Sequence, residues 1–405
     1  MATLGRKLAA WVHRLTYDQL PDKTVHEVNR RVLDSIGTAL GAYHSPPAKI
    51  VREVTLAVPA PRGGTVWGTP HRTTPDLAAF ANGAMVRYLD FNDTYLSKEP
   101  AHPSDNLSAA VAVAQATGKG GKEAILATVI GYEIQCRLCD ADSLRAHGWD
   151  HVTYGALSTA LLAGKLWGLN EDQLEHALGL AGVCNIATRQ TRTGQLSHWK
   201  ACAFSNAARN GVFAADLARR GMTGPYEILE GPKGLMKQLS IPGVKDVVLG
   251  GRGDFMIDKT YIKFWPAEYH SQSGIDAMLQ LRPQIDVKKV KSIHIGSFEA
   301  AVSIIGSEPE KWRPTSRETA DHSMGYCTAV ALLDGDVTQA SFDDARLKDP
   351  QVLALLDKTT ITEERELNAA YPKGIPNHLT VTMTDGRKVE KRVDFPRGHA
   401  ENPMT

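Results

Sequence analysis

Residues 200–221 read KACAFSNAARNGVFAADLARRG. The run is apolar and rich in alanine, and Gly221 closes it, so it predicts a helix that neighbours approach closely. Segments of the same character recur on its N-terminal side. TVHEVNRRVLDSIGTALGAY, from residue 24, sets Val25, Val28, Val32, Leu33, Ile36 and Leu40 at helical spacing. Its small residues Gly37, Ala39 and Gly41 invite a tight helix crossing. TPDLAAFANGAMVRYLD has Thr74 as N-cap and Pro75 at the first helical position. LSAAVAVAQATG and GKEAILATVIGYEIQCRLCDA follow, split by a turn at residues 118–121. GALSTALLAGKLWGL leads through NEDQ, a helix start, into LEHALGLAGVCNIA. So many Ala- and Gly-rich helices imply an all-helical core with tight crossings.

The character changes near DFMIDKTYIKFWPAEYH. One more helix is expected at about residues 273–280. VKKVKSIHIGSF then alternates Val290, Ile293 and Ile295 as a strand. HLTVTMTDGRKVEKRVDF reads as a hairpin turning at Asp385-Gly386, a favoured two-residue turn. Between them ADHSMGYCTAVALLDG and DPQVLALLDK read as helices. The expected fold is mainly α: a large all-helical domain over 1–265 and a smaller α+β domain over 266–405. No internal repeat or low-complexity tract is evident.

Bulk properties exclude several classes. A chain of 405 residues is long enough for two domains. Lys plus Arg is 46 and Asp plus Glu is 45, a balance with no pull toward nucleic acid or an anionic membrane. No stretch reaches the roughly 18 apolar residues of a membrane span. The N-terminal LGRKLAAWVHRL carries Arg and Lys inside an amphipathic pattern, unlike a secretory signal. Five cysteines in this length point to a reducing compartment. A cytoplasmic location is expected, with the mitochondrial matrix open for a eukaryotic source.

Several segments carry chemistry. DFNDTYLSKEPAHPSDN, residues 90–106, gathers Asp90, Asp93, Thr94 and His102. Carboxylates at a helix end oppose the helix dipole, so they need partners or a task; the bland reading is Asx-turn bonding to their own backbone. GWDHVTYG sets Asp150 and His151 before a helix, where the dipole favours neutral imidazole, a competent base. TRQTRTGQLSHWKACAF brings Arg189, Arg192, His198 and Lys200 ahead of a helix, which suits a carboxylate ligand. KFWPAEYHSQSG holds Glu268 and His270. ETADHSMGYCTA holds His322, Ser323 and Tyr326, and the four-residue spacing of His322 and Tyr326 puts them on one helix face. The alternatives are capping, core or interface roles. Cys136 and Cys139 form C-x-x-C inside a helical run and read as small hydrophobes. GKGGKEA lacks a phosphate-loop pattern, and RGD at 252–254 is too short to carry meaning.

Together DFNDTYLSKEPAHPSDNL, GWDHVTYGALSTALLAGKLWGL, RTGQLSHWKACAF, FWPAEYHSQS and TADHSMGY resemble the MmgE/PrpD family, and the likeness spans about residues 10–400. The resemblance implies an all-helical domain with a smaller α+β lid, an active site between them, a homodimer, and chemistry without metal or other cofactor. It implies a small tricarboxylate as partner. The family's activities include 2-methylcitrate dehydration, cis-aconitate decarboxylation and iminodisuccinate epimerisation. HPSDN, TGQLSHWK and PAEYHSQ lean toward the first, and so toward propionate breakdown through the methylcitrate cycle. The family's functional positions carry over to Asp90, Thr94, His102, His151, Lys200, His270 and Tyr326. Arg192, Lys200 and His270 are expected to hold the substrate. His151 or His102 is the expected base, and Asp90, protonated by burial, or Tyr326 the expected acid. Relatives continue past a PRGHAENPMT-type segment with a helical tail, whereas this sequence stops at Thr405. A non-catalytic polycarboxylate-binding homologue is the reading from another class.

Overall fold

The computed structural model describes residues 2–251 and 253–404; Arg252 of the RGD stretch lies outside them. The chain divides into two compact units. The first comprises Met1–Tyr88, Asn92–Arg192 and His198–Thr260. The second comprises Leu89–Phe91, Thr193–Ser197 and Tyr261–Thr405.

Unit 1 is built on nine helices of two turns or more among the described residues: α1 (Leu4–Arg14), α2 (Asp22–Gly41), α3 (Pro46–Leu56), α4 (Pro75–Tyr88), α5 (Leu107–Thr117), α6 (Gly121–Ala141), α7 (Val152–Leu166), α8 (Glu171–Cys184) and α9 (Trp199–Arg219). Local signals act where expected. Asn170 accepts from the Gln173 backbone at 2.9 Å while the Gln173 side chain accepts from the Asn170 N–H, a reciprocal cap on α8. Gly118 ends α5 and Gly221 follows α9, both at positive φ. The core of the unit is largely Ala, Leu and Val from α5 to α9. Small residues make its crossings close. A Cβ on Gly211 of α9 would lie 2.1 Å from Thr159 Oγ1 and 2.6 Å from the Ala156 carbonyl, both on α7.

Three expectations change. The helical unit also carries an antiparallel ribbon, β1 (Pro59–Thr65) with β2 (Arg72–Thr73); proline and glycine in PAPRGGT hide it from any alternation rule. The apolar stripe read on α2 does not all face the core. Leu33 is 76% exposed, and Leu40 and Ile36 are exposed too, while Thr24, Arg31, Ser35 and Thr38 are buried. Thr24 and Arg31 are buried with partners: Thr24 Oγ1 donates to Asp258 at 3.0 Å, and Arg31 to the Thr260 carbonyl at 2.8 Å and to Glu27 at 2.9 Å. Cys184, within the LEHALGLAGVCNIA segment read as an apolar helix, is exposed at the end of α8.

Unit 2 is α+β. Its sheet runs β4 (Thr359–Glu363), β3 (Val290–Ser297), β5 (Asn377–Met383), β6 (Lys388–Val393) in spatial order. β3 pairs parallel with β4 and antiparallel with β5, and β5 with β6. Alternate residues Leu379, Val381 and Met383 of β5 are buried. Helices Gln272–Leu281, Met324–Asp334 and Pro350–Leu356 complete the unit. The hairpin turn has three residues rather than two. Met383 accepts from the Gly386 N–H at 3.0 Å and donates to the Arg387 carbonyl at 2.8 Å. Gly386 has φ 89°, the left-handed residue that a three-residue loop needs. The short strand β4 had no alternation long enough to read. Among the described residues no helix is long and apolar enough to cross a membrane.

The α7–α9 crossing generates a test. Gly211→Val is expected to destabilise unit 1 by about 1–3 kcal/mol or more, read as a lower denaturant midpoint with an unchanged slope. A midpoint equal to wild type would show that the crossing has room.

Candidate functional site

In unit 1 the loop after α4 folds back through a bridge in which Tyr95 and Ala101 exchange two 2.9 Å backbone hydrogen bonds. That pairing sets Thr94 beside His102. His102 Nδ1 lies 2.8 Å from the Asp93 carbonyl and 3.2 Å from Thr94 Oγ1. A carbonyl only accepts, so Nδ1 carries the hydrogen. Nε2 then accepts from Arg87 Nη2 of α4 at 3.0 Å. Both nitrogens of His102 are engaged, and its lone pair faces a permanent cation. This geometry does not suit the base role read for His102; it suits a neutral, oriented ring. Asp93 is structural: it takes the Ser104 N–H at 2.9 Å and the Tyr132 hydroxyl at 2.7 Å.

The His151 ring centroid lies 5.9 Å from that of His102. His151 is the N-cap of α7. Its Nδ1 is 2.9 Å from Asp150 Oδ1, and the other Asp150 oxygen takes Arg192 Nε at 3.0 Å. Arg192 Nη1 also donates to the Lys200 carbonyl at 3.2 Å, which ties Arg192 to the first turn of α9. Lys200 is itself buried. Burial alone would raise the Asp150 carboxyl; Arg192, His151 and the Val152 N–H more than offset it and hold it well below the usual carboxylate range. Burial lowers the His151 imidazole, and Arg192 and Arg87 add to that against the opposing pull of Asp150. The neutral ring expected from the helix start is therefore favoured chiefly by burial. With Nδ1–H on Asp150, the lone pair sits on Nε2. His151 Nε2 and Arg192 Nη2 are both buried and without a hydrogen-bond partner among the described residues.

Unit 2 holds its own cluster. Asp90 has φ 49°, rare for a side-chain-bearing residue and tolerated by Asp. Lys263, which was not singled out in the sequence, holds it there: its Nζ donates to the Asp90 carbonyl at 2.8 Å and bonds the Asp90 carboxylate. A carboxylate carrying an ammonium is ionised, so the protonated Asp90 acid is not what the geometry offers. His322 Nδ1 lies 2.6 Å from Asp321 and 3.4 Å from Asp90. Ligand atoms of Asp90, Asp321 and His322 fall within 4.8 Å of one another, a set a divalent cation accepts; the Lys263 ammonium supplies positive charge at that place.

His270 stands in a similar pairing. Its Nδ1 is 2.7 Å from Glu268 Oε1, its ring packs on Phe298 and Tyr371, and its buried Nε2 has no partner among the described residues. Burial would raise the Glu268 carboxyl, but His270, His322 and Lys263 more than offset this and hold it below its ordinary value. Tyr326 is placed differently. Its hydroxyl donates to the Ser341 carbonyl at 2.7 Å, and burial pushes its phenol well above the usual value. The helix starts only at Met324, with Ser323 as its cap, so His322 precedes it and the shared helix face does not form. Neither Lys263 nor Arg87 gave a local signal. Each is recognisable only through a partner many residues away.

These clusters sit on a known scaffold. Family models of the MmgE/PrpD N-terminal domain and C-terminal domain match residues 6–246 and 265–405. The chain belongs to the MmgE/PrpD family. It is similar to the 2-methylcitrate dehydratase of Escherichia coli (strain K12), at 30% identity over 395 residues, covering 91% of this chain and 80% of that protein. The 2-methylcitrate dehydratase of Cupriavidus necator is 31% identical over 402 residues, with the same coverage. The mitochondrial 2-methylcitrate dehydratase of Yarrowia lipolytica is 29% identical over 404 residues, 91% of this chain and 75% of that one.

The cation beside Asp150 generates a test of sign. Arg192 opposes protonation of His151, so Arg192→Gln should raise the pH at which His151 titrates. In histidine-selective 15N NMR the wild-type ring is expected to protonate below pH ~6.5, and the variant's at higher pH. Unchanged titration would disconnect Arg192 from the imidazole.

Proposed function

We propose that the protein is a hydro-lyase that removes water from a tricarboxylic hydroxy acid, 2-methylcitrate or a close analogue. The observation that carries this reading is the pair of unsatisfied buried atoms flanking Asp150: an acceptor, His151 Nε2, and a donor, Arg192 Nη2. Unsatisfied buried polar atoms cost about 1–3 kcal/mol each, and a polyanion bearing an acidic C–H answers both. The names of the relatives support the same chemistry.

His151 Nε2 takes the proton alpha to a carboxylate, with Asp150 stabilising the imidazolium that forms. Arg192 and Lys200 hold the carboxylate on which negative charge develops. The C–O bond breaks as the C=C bond forms, and the hydroxyl needs a proton to leave as water. His270 is assigned to that task, because Glu268 on Nδ1 orients the ring and its buried Nε2 has no partner among the described residues. Thr94 and His102 orient the substrate, and Asp90 with Lys263 fixes the backbone beside α4. Tyr326 is assigned a packing role. Decarboxylation or epimerisation would reuse these groups, but epimerisation needs two bases on opposite faces, and His102 has its lone pair on Arg87.

A homodimer is part of the proposal. α2 leaves Leu33, Ile36 and Leu40 exposed and α3 leaves Ile50 and Val54 exposed, apolar surface of the kind an obligate partner covers. Sedimentation is expected to give a dimer, and Leu33→Glu with Val54→Glu a monomer; a wild-type monomer contradicts it.

For the chemistry, 2-methylcitrate, citrate, cis-aconitate and iminodisuccinate are compared by absorbance of the conjugated product, carbon dioxide release and optical rotation. Water loss from 2-methylcitrate, surviving prolonged chelation, is the expected result. His151→Ala and Lys200→Ala should each lower turnover at least ~100-fold with melting temperature retained. Tight citrate binding without turnover of any acid would favour the non-catalytic reading instead.

A further inference from the structure

Glu99 is a fully buried carboxylate that the proposed reaction does not use. It sits at the tip of the 95–101 hairpin, whose base carries Thr94 and His102. The tip is pinned to the end of α6: Glu99 N donates to the Cys139 carbonyl at 3.1 Å, and Ser97 and Tyr95 hydroxyls donate to Asp140. The side chain reaches further. Glu99 Oε2 accepts from the Arg145 N–H at 2.8 Å and from Ser143 Oγ at 3.1 Å. That turn runs on through Trp149, which is bridged to Thr188, to Asp150 and His151. Glu99 Oε1 is buried and has no hydrogen-bond partner among the described residues.

We infer that Glu99 is a positioning residue for the proposed dehydration: its carboxylate clamps the hairpin bearing Thr94 and His102 to the turn that delivers Asp150 and His151, and so sets the spacing of the two imidazoles. The inference rests on the dehydratase reading for its role in turnover, but not for the clamp itself. One carboxylate oxygen joins two segments more than forty residues apart in sequence.

The clamp also responds to pH. Burial pushes the Glu99 carboxyl up to about 7, against the Arg145 N–H, Arg189 and Ser143, with Asp150 adding to the rise. The titratable groups of α6 and α7 that face it, Cys139 and Tyr154, are themselves raised by burial and stay neutral near pH 7. Protonation weakens Glu99 as an acceptor. Turnover should therefore fall as pH drops through about 7, above the range in which His151 protonates.

The test compares Glu99→Ala with Glu99→Gln, which keeps an acceptor oxygen and cannot ionise. Glu99→Ala is expected to lower kcat at least ~20-fold at pH 8 with KM within about threefold. Glu99→Gln, which mimics the protonated acid, should hold turnover above that of Glu99→Ala, near the level wild type shows below pH 7, and lose the inflection near pH 7. Equal kcat in Glu99→Ala and wild type, or superimposable pH profiles for Glu99→Gln and wild type, would overturn the inference. A second readout needs no substrate. In histidine-selective NMR of the ligand-free protein, Glu99→Ala should shift the His102 and His151 ring signals and leave His270 and His399 in place. Unmoved His102 and His151 signals overturn the clamp. Shifted signals in a protein that turns over none of the tricarboxylates keep the clamp and remove only the dehydratase reading. If Glu99→Ala does not fold, Glu99→Gln against Glu99→Leu carries the same comparison.

Discussion

A carboxylate without water must be paired, and Asp150 meets that constraint with Arg192 on one oxygen and His151 on the other. An unpaired ion in this position would cost on the order of several kcal/mol. Pairing removes that cost and has chemical consequences. It fixes the His151 tautomer, places the lone pair on Nε2, and anchors Arg192 on the other carboxylate oxygen. It also joins three pieces of chain: the start of α7, the 189–192 turn and, through the Lys200 carbonyl, the start of α9. The α7–α9 crossing, made close by Gly211, holds two of these starts on one rigid frame.

The same device recurs in unit 2. Glu268 orients His270 and Asp321 orients His322, each through Nδ1 at 2.6–2.7 Å. An acid on Nδ1 selects the tautomer and orients the ring, so each ring presents Nε2 away from its acid. His102 is the exception. It has a carbonyl on Nδ1 and a guanidinium on Nε2, which favours the neutral ring and withholds the lone pair. Four histidines near acids or hydroxyls thus separate into two kinds by what faces each nitrogen. Residue type alone does not make that distinction.

Much of the architecture was legible in the amino-acid order. Helical spacing, caps such as Asn170 and breaks such as Gly118 are local, and so is the alternation of β5 and β6. β1, β2 and β4 were not legible, since they are too short or too rich in Pro and Gly to show a period. The exposed side of α2 misled because burial there follows the Thr24 and Arg31 face, whose partners Asp258 and Thr260 lie elsewhere in the chain. For the site, the segments were found by residue type, and long motifs pointed to the MmgE/PrpD family. Lys263, Arg87 and Glu99 were missed because their meaning lies wholly in contacts at long sequence separation. Asp90 and Tyr326 were given acid roles that a lysine and a backbone carbonyl, respectively, argue against.

The most direct test of the account is the turnover of 2-methylcitrate by Asp150→Asn, a substitution that keeps the shape of the side chain and removes its charge. If Asp150 orients the base and stabilises its charged form, kcat should fall at least ~100-fold while the folded state persists. A variant that stays folded and turns over within threefold of wild type would contradict it.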